Sequence, residues 1–99
     1  MKFHLEVSDY CKQDVIHSAK WYALRETGLD ERFFVEFETT IGLIAQNPEI
    51  GFLTDQGTRR FSMQIFPYTL YYQINATAIQ VIACLHGARQ PSEIESELE

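Results

Sequence analysis

The chain has 99 residues, of which 45% are hydrophobic and 22% charged, and these values exclude a disordered chain and predict one folded domain over residues 1–99. The net charge of −6 argues against non-specific binding of RNA or DNA, and we expect no direct sequence-specific binding of nucleic acid either. The sequence shows no secretion signal and no apolar run of about 18 residues, so we expect a cytoplasmic protein without a membrane segment.

The first third of the chain predicts a strand followed by a helix. Residues 3–7 alternate between apolar and polar side chains, which is typical of a short strand. Ser8 or Asp9 can cap a helix over about residues 10–27, and Gly28 can end it. The apolar face of this helix is formed by Val15, Ala19 and Tyr22.

A second helix follows without a long linker. Asp30 can cap it, and Asn47-Pro48 stops it after about Gln46, because the residue before a proline avoids the helical region. Its apolar face is formed by Phe33, Phe37, Ile41 and Ile44. The two helices therefore form a hairpin whose apolar faces need a cover.

The second half predicts a loop over residues 49–57 and then three strands, over residues 59–65, 69–74 and 79–85. Pro67 separates the first two strands, and the last is a nearly continuous apolar run, which is typical of an interior strand. The predicted order is therefore β-α-α-β-β-β, an α+β fold in which an antiparallel sheet carries the N-terminal helical hairpin on one face.

Charge divides the chain into three segments. Residues 1–56 carry a net charge of −5, residues 57–91 of +3 and residues 92–99 of −4, so that residues 91–99 form an acidic C-terminal tail. The middle segment contains Arg59, Arg60 and Arg89 but not one acidic residue. An acid-free segment of this length is a candidate docking surface for an acidic partner.

The two cysteines, Cys11 and Cys84, fall in different predicted elements. In an unsecreted chain we expect both to be reduced thiols. No zinc-binding spacing is present, and we expect neither a metal ion nor a cofactor.

Four groups of short motifs, taken in their order and spacing, resemble one known family. They are Ala19-Lys20-Trp21-Tyr22 with Gly28-Leu29 and Arg32-Phe33; Ile44 to Pro48; Arg59-Arg60 with Phe66-Pro67-Tyr68 and Tyr71-Tyr72; and Val81-Ile82-Ala83 with His86 and Arg89-Gln90-Pro91. Together with the order β-α-α-β-β-β, they resemble the RelE/ParE superfamily of toxins from type II toxin–antitoxin systems. The resemblance covers nearly the whole chain.

Within that superfamily the chain looks more like the ParE branch, the plasmid-stabilisation toxins, than the RelE branch. RelE-like mRNA endonucleases tend to be basic, whereas this chain has no Lys after Lys20, no Tyr after Tyr72 and an acidic tail. The resemblance implies a toxin without chemistry of its own that inhibits DNA gyrase and is neutralised by a cognate antitoxin. A heterotetramer with that antitoxin is one assembly that it allows.

Five residues are candidates for contacts with the target or the antitoxin: Arg59, Arg60, Tyr68, His86 and Arg89. Alternation along a strand predicts that Arg59 and Arg60 point to opposite faces, with Arg60 toward solvent. His86 and Arg89 follow an apolar strand, and strand ends often carry binding groups.

Two alternatives stay open on the sequence alone. The first is a ribosome-dependent mRNA endonuclease of the RelE type, in which His86, Arg89 and Arg60 would act on the scissile phosphate. The second is a binding module of the same fold that is not toxic. For each of the five candidate residues an ordinary structural role also competes with the functional one.

Overall fold

Two helices and five strands make up the part of the chain that the structure, a computed structural model, describes: residues 4–76 and 78–87. The elements in chain order are β1 (His4–Val7), α1 (Asp9–Arg25), α2 (Leu29–Gln46), a 3₁₀ turn (Pro48–Ile50), β2 (Phe52–Leu53), β3 (Arg59–Ser62), β4 (Tyr68–Asn75) and β5 (Ala78–His86). The predicted acidic tail, including Arg89, lies outside the described residues.

The strands form one mixed sheet in the order β1-β5-β4-β3-β2. The α+β class and the helical hairpin on one face are confirmed. The antiparallel pairing that we predicted holds from β5 to β2, but β1 pairs with β5 in parallel. The sheet is therefore mixed rather than antiparallel, because the direction of β1 depends on its distant partner and not on its own alternation.

Strand β2 was missed by the sequence prediction, and β3 is shorter than predicted. Two residues, Phe52–Leu53, are too few to show a periodic pattern. The strand predicted over residues 59–65 ends at Ser62 because a turn follows it. In that turn the carboxylate of Glu36 accepts hydrogen bonds from the backbone N–H groups of Gln64, at 2.8 Å, and of Ile65, at 3.1 Å.

Ser8 connects helix α1 to the sheet. Its hydroxyl oxygen accepts a hydrogen bond from the backbone N–H of Cys11, at 3.1 Å, which confirms Ser8 as the N-cap. The same hydroxyl donates to the carbonyl of Ile82, at 2.8 Å, and the Ser8 N–H donates to the carbonyl of Val81, at 2.9 Å. The start of α1 is thereby fixed against β5.

Gly28 joins the two helices in a left-handed conformation, with φ of 88°. This glycine is the N-cap residue of α2, and its carbonyl accepts the N–H of Arg32, at 3.2 Å. Asp30 consequently lies in the first turn of α2 and is not the cap that the sequence predicted. A carboxylate in a first helical turn still interacts favourably with the helix dipole.

The main hydrophobic core lies between the helices and the sheet. An aromatic cluster of Tyr22, Phe33, Phe66 and Tyr68 fills one end of it, with ring centroids 4.9 to 6.2 Å apart. Aromatic pairs of this kind contribute about 0.5–1.5 kcal/mol each beyond the burial of their area. A smaller buried cluster on the opposite face, which we call the back face, contains Ile82, Ala83 and Leu85, packed with Tyr10 and Tyr71.

A β-bulge interrupts the pairing of β4 with β5. Tyr71 pairs with Ala83 whereas Tyr72 pairs with Val81, so Ile82 is an additional residue in β5. Beyond the bulge the alternation of β5 is reversed, and His86, paired with Tyr68, lies on the helix face of the sheet.

Candidate functional site

Arg59 points to the helix face and holds the loop that precedes β2. Its Nη1 donates hydrogen bonds to the carbonyl oxygens of Gly51, at 2.9 Å, and Glu49, at 3.3 Å. Hydrogen bonds from a charged donor are stronger than neutral ones, typically about 1.5–3 kcal/mol. In the structure Arg59 therefore stabilises a loop, and its predicted role in binding stays a prediction.

Tyr72 completes this arrangement from the neighbouring strand. Its hydroxyl donates to the carbonyl of Pro48, at 2.6 Å, and accepts from the N–H of Gly51, at 2.9 Å. Burial raises the pKa of the Tyr72 hydroxyl, while the Gly51 hydrogen bond and the charge of Arg59 act in the opposite direction. We call Arg59, Tyr72 and Gly51 the loop anchor.

Gly51 leaves no room for a side chain inside the loop anchor. A Cβ at this position would lie 2.6 Å from the Tyr72 hydroxyl oxygen and 2.9 Å from the carbonyl oxygen of Arg60. Both atoms belong to buried or hydrogen-bonded groups that cannot move independently of the sheet. The loop can therefore approach β3 and β4 this closely only with glycine.

Arg60, the next residue along β3, points to the back face and is exposed. Its guanidinium carbon lies 5.0 Å from the ring centroid of Phe52, which is 65% exposed. Arg60 also pairs with Tyr71 across the strands, and Ser62 bonds to Thr69 beside them at 3.0 Å. We call Arg60, Phe52 and Tyr71 the Arg60 surface; it combines a cation with one exposed and one half-buried aromatic ring.

His86 lies in a different place, at the rim of a pocket of about 280 Å³ on the helix face. The pocket is lined by Asp14, His17 and Ser18 of α1 and by Tyr68, Cys84 and His86 of the sheet. The rings of His86 and Tyr68 meet edge to face with centroids 5.4 Å apart. Tyr68 itself is only 9% exposed and belongs to the core, where its ring contacts those of Tyr22 and Phe33 as well as that of His86.

One tyrosine and two thiols near the His86 pocket are held in their neutral forms. Burial and the neighbouring Tyr68 raise the pKa of Tyr22 to about 12. Burial, and to a lesser degree Asp14, raises the pKa of the Cys11 thiol to about 12. The pKa of Cys84 is also raised, by burial first and then by Cys11 and Asp14. Neither thiol has the lowered pKa that a reactive cysteine needs.

The five residues predicted from the sequence do not form one site. Arg60 lies on the back face and His86 on the helix face. They are two strands apart and offset by three residues along the strand, which places their Cα atoms about 14 Å apart. Arg89 lies outside the described residues. The structure adds Phe52 beside Arg60, and His17, Ser18 and Asp14 beside His86.

These additional residues left weak signals in the sequence. Asp14, His17 and Ser18 follow the i, i+3, i+4 spacing of one helix face, but nothing local shows that this face meets the end of β5. Phe52 lies in a segment that we predicted to be a loop. Both neighbourhoods depend on tertiary contacts, so single-sequence periodicity could not reveal them.

The described residues offer neither a metal-binding cluster nor a membrane span. Within residues 4–76 and 78–87, no three His, Cys, Asp or Glu side chains are grouped so that they could hold a metal ion. Neither helix in this part of the chain has the length and apolar character needed to cross a bilayer.

This fold is found in solved structures, two of which are similar over most of the chain. One, described as the chromosomal ParDE TA system from P. aeruginosa, is 13% identical, with a TM-score of 0.72 over 86% of this chain and 96% of that chain. The other, a mutant of the E. coli toxin RelE in the free state, is 16% identical, with a TM-score of 0.58 over 98% of this chain and 94% of that chain. At such identities the similarity shows the fold alone.

The sequence itself identifies the family. No curated protein matches it. Residues 5–91, however, match the family described as the ParE toxin of the type II toxin–antitoxin system parDE. The match includes both helices, strands β2 to β5 and the three arginines of the acid-free segment. The chain therefore belongs to the ParE toxin family of type II toxin–antitoxin systems.

Proposed function

We propose that this chain inhibits DNA gyrase by binding it, without catalysing a reaction, and that a cognate antitoxin neutralises it. The observation that carries this proposal is the family match over residues 5–91. The similar P. aeruginosa structure, which is described as a ParDE system, supports a partner antitoxin for this chain as well.

The geometry of the candidate residues favours binding over catalysis. A nuclease needs its general acid or base and its phosphate-binding cation within reach of one scissile bond. Arg60 and His86 lie on opposite faces of the sheet, so they could not act on the same phosphate. Arg60 and the exposed ring of Phe52 are suited instead to contact a protein surface, where arginine and aromatic residues are often the strongest contributors.

A supercoiling assay tests the proposed activity. Purified toxin added to gyrase, relaxed plasmid and ATP should reduce supercoiling and trap gyrase on cleaved DNA, and prior addition of the antitoxin from the same operon should restore activity. Translating ribosomes with a defined mRNA serve as the comparison. Cleavage of that mRNA, lost in His86→Ala, together with unaffected gyrase would overturn the proposal in favour of a RelE-like endonuclease.

Arg60→Glu tests which surface contacts the target. We expect it to reduce gyrase inhibition at least about tenfold, because the new carboxylate would repel the acidic group of gyrase that we propose Arg60 contacts. The melting temperature should stay within about 2 °C of the wild type, since exposed substitutions usually change stability by less than about 0.5 kcal/mol. Full inhibition by Arg60→Glu would exclude the Arg60 surface as the contact.

A further inference from the structure

Helix α1 has a second face that the fold does not use. Its inward side is buried against α2 and β5 by Cys11, Val15 and Ala19. After its first turn, which contains the exposed Asp9, its outward side consists of two rows of four residues spaced by four, and all eight side chains are exposed. The rows are Lys12, Ile16, Lys20 and Leu24, and Gln13, His17, Trp21 and Arg25. We call these eight residues the outer face of α1.

Large apolar side chains on this face are open to solvent. Leu24 is 88% exposed, Trp21 49% and Ile16 43%. The guanidinium carbon of Arg25 lies 4.4 Å from the centroid of the Trp21 ring, a cation–π contact that holds the ring in a defined position. A pre-positioned tryptophan beside an exposed leucine is typical of the centre of a protein interface.

The charge of the outer face is opposite to that of the whole chain. It carries Lys12, Lys20 and Arg25 and no acidic residue, with Asp9 in the preceding turn, although the chain has 14 acidic residues and a net charge of −6. An acidic partner would be attracted to this face and repelled by most of the remaining surface. The charge pattern would therefore direct the partner to the outer face of α1.

An apolar groove borders the outer face on the side of α2. Its volume is about 270 Å³, its walls include Val15, Ile16, Phe34 and Phe37, and Lys12 and Glu38 lie at its rim. A groove of this size can accept one large apolar side chain from a partner, beside the exposed Ile16.

We propose that the outer face of α1 binds an acidic amphipathic helix of the antitoxin. Residues 12–25 span about 20 Å at 1.5 Å per residue, the length of a partner helix of about 14 residues. Carboxylates of that helix would meet Lys12, Lys20 and Arg25, and its apolar residues would cover Trp21, Leu24 and the groove. This inference rests on the proposed function only in that the chain has an antitoxin; it does not require gyrase as the target.

The charge and the apolar pattern favour a protein segment over other polyanions. Three cations on a chain of net charge −6 give little attraction for DNA or for an anionic lipid surface. The cations are also interleaved with the apolar residues, whereas a helix that lies on a membrane separates the two on different faces.

Matched variants on the two helices test the proposal. Trp21→Ala should weaken the affinity for the antitoxin of the same operon at least about 30-fold, as expected for a central aromatic residue. Lys20→Glu should weaken it about tenfold, with a smaller effect at high salt. The controls are Val35→Ala and Arg32→Glu on α2, where Val35 is 64% exposed and Arg32 is an exposed cation outside the outer face. We expect both controls to bind about as tightly as the wild type by calorimetry.

Thermal unfolding of all four variants separates lost contacts from lost folding. The proposal is overturned if the controls weaken binding as much as the outer-face variants, if Trp21→Ala and Lys20→Glu bind like the wild type, or if no complex forms. Binding of duplex DNA or of phosphatidylglycerol vesicles that depends on Trp21, while antitoxin binding does not, would also overturn it. If the outer-face variants alone lose the antitoxin and gyrase is unaffected by the toxin, this inference stands and the gyrase target falls.

Discussion

Arg59 and Arg60 are neighbours in one strand, yet their surroundings are opposite. Arg59 donates to two backbone carbonyls in the loop anchor, where the backbone N–H of Gly51 also donates to the buried hydroxyl of Tyr72. Arg60 contacts the exposed ring of Phe52 on the back face. The same residue type thus has two roles: Arg59 stabilises the fold on one face of the sheet, and Arg60 forms an exposed surface on the other.

This contrast separates stability from recognition along β3. Polar contacts in the loop anchor determine where β2 lies, and β2 in turn places Phe52 opposite Arg60. Substitutions in the loop anchor should therefore affect stability and, through the position of Phe52, recognition. Substitutions of Arg60 or Phe52, the exposed members of the Arg60 surface, should affect recognition with little effect on stability.

Gly51→Ala should show the largest effect on stability. The added methyl group would overlap the Tyr72 hydroxyl and break its hydrogen bond to the loop, which we expect to cost about 3 kcal/mol in the free energy of unfolding. Urea unfolding measures this cost. Gly42→Ala is the control: nothing lies within 4 Å of a Cβ there, and alanine in a helix interior should stabilise the protein by about 0.5–1 kcal/mol. Equal stability of the two variants would contradict the geometry of the loop anchor.

Arg59→Gln and Arg60→Gln test the comparison directly. The first removes charged hydrogen bonds to two carbonyls and should lower the free energy of unfolding by about 1–2 kcal/mol. The second removes only an exposed cation–π contact, and we expect a loss of at most about 0.5 kcal/mol. Urea unfolding of both at neutral pH is the measurement, and a larger loss in Arg60→Gln would reverse our assignment.

Raising the pH above about 10 should lower the stability of the protein by less, and more gradually, than the substitutions in the loop anchor. The pKa of Tyr22 is raised to about 12 in the folded protein, whereas an unfolded tyrosine titrates near pH 10. The contribution of this neutral hydroxyl to stability is therefore complete below about pH 10 and is lost as the pH rises towards 12. Urea unfolding at about pH 9, 10 and 11 should show this decline, with a shallower slope in Tyr22→Phe. An unchanged slope in that variant would show that Tyr22 is not responsible.

Local chemistry made much of this fold predictable from the sequence. The Ser8 cap, the end of α2 before Asn47-Pro48 and the opposite directions of Arg59 and Arg60 each follow from residues close together in the chain. The pairing of β1 with β5 in parallel was not predictable in this way, since it depends on a partner more than 70 residues away. Strand β2 exists because the loop anchor holds it against β3, which its own two residues do not encode.

The candidate site was less predictable than the fold. Alternation along β3 predicted an exposed Arg60, but its aromatic neighbour Phe52 lay in a segment predicted to be a loop. The strand predicted for β5 contained no bulge, because an additional residue has no signature in a continuous apolar run. Sequence periodicity therefore identified exposed side chains more reliably than it identified which of them are neighbours.

The bulge at Ile82 has a consequence for how this scaffold can change in evolution. If that one residue were lost, Val81 and Ala83 would become consecutive and could keep their partners Tyr72 and Tyr71, so the ladder would become regular and His86 would stay on its face. A codon lost at a regularly paired position instead shifts the residues beyond it by one pair and turns them to the other face. The bulge is therefore a place in β5 where a lineage can shorten the strand by one residue: the back face would lose the buried side chain of Ile82, but the residues on either side of it would keep their faces.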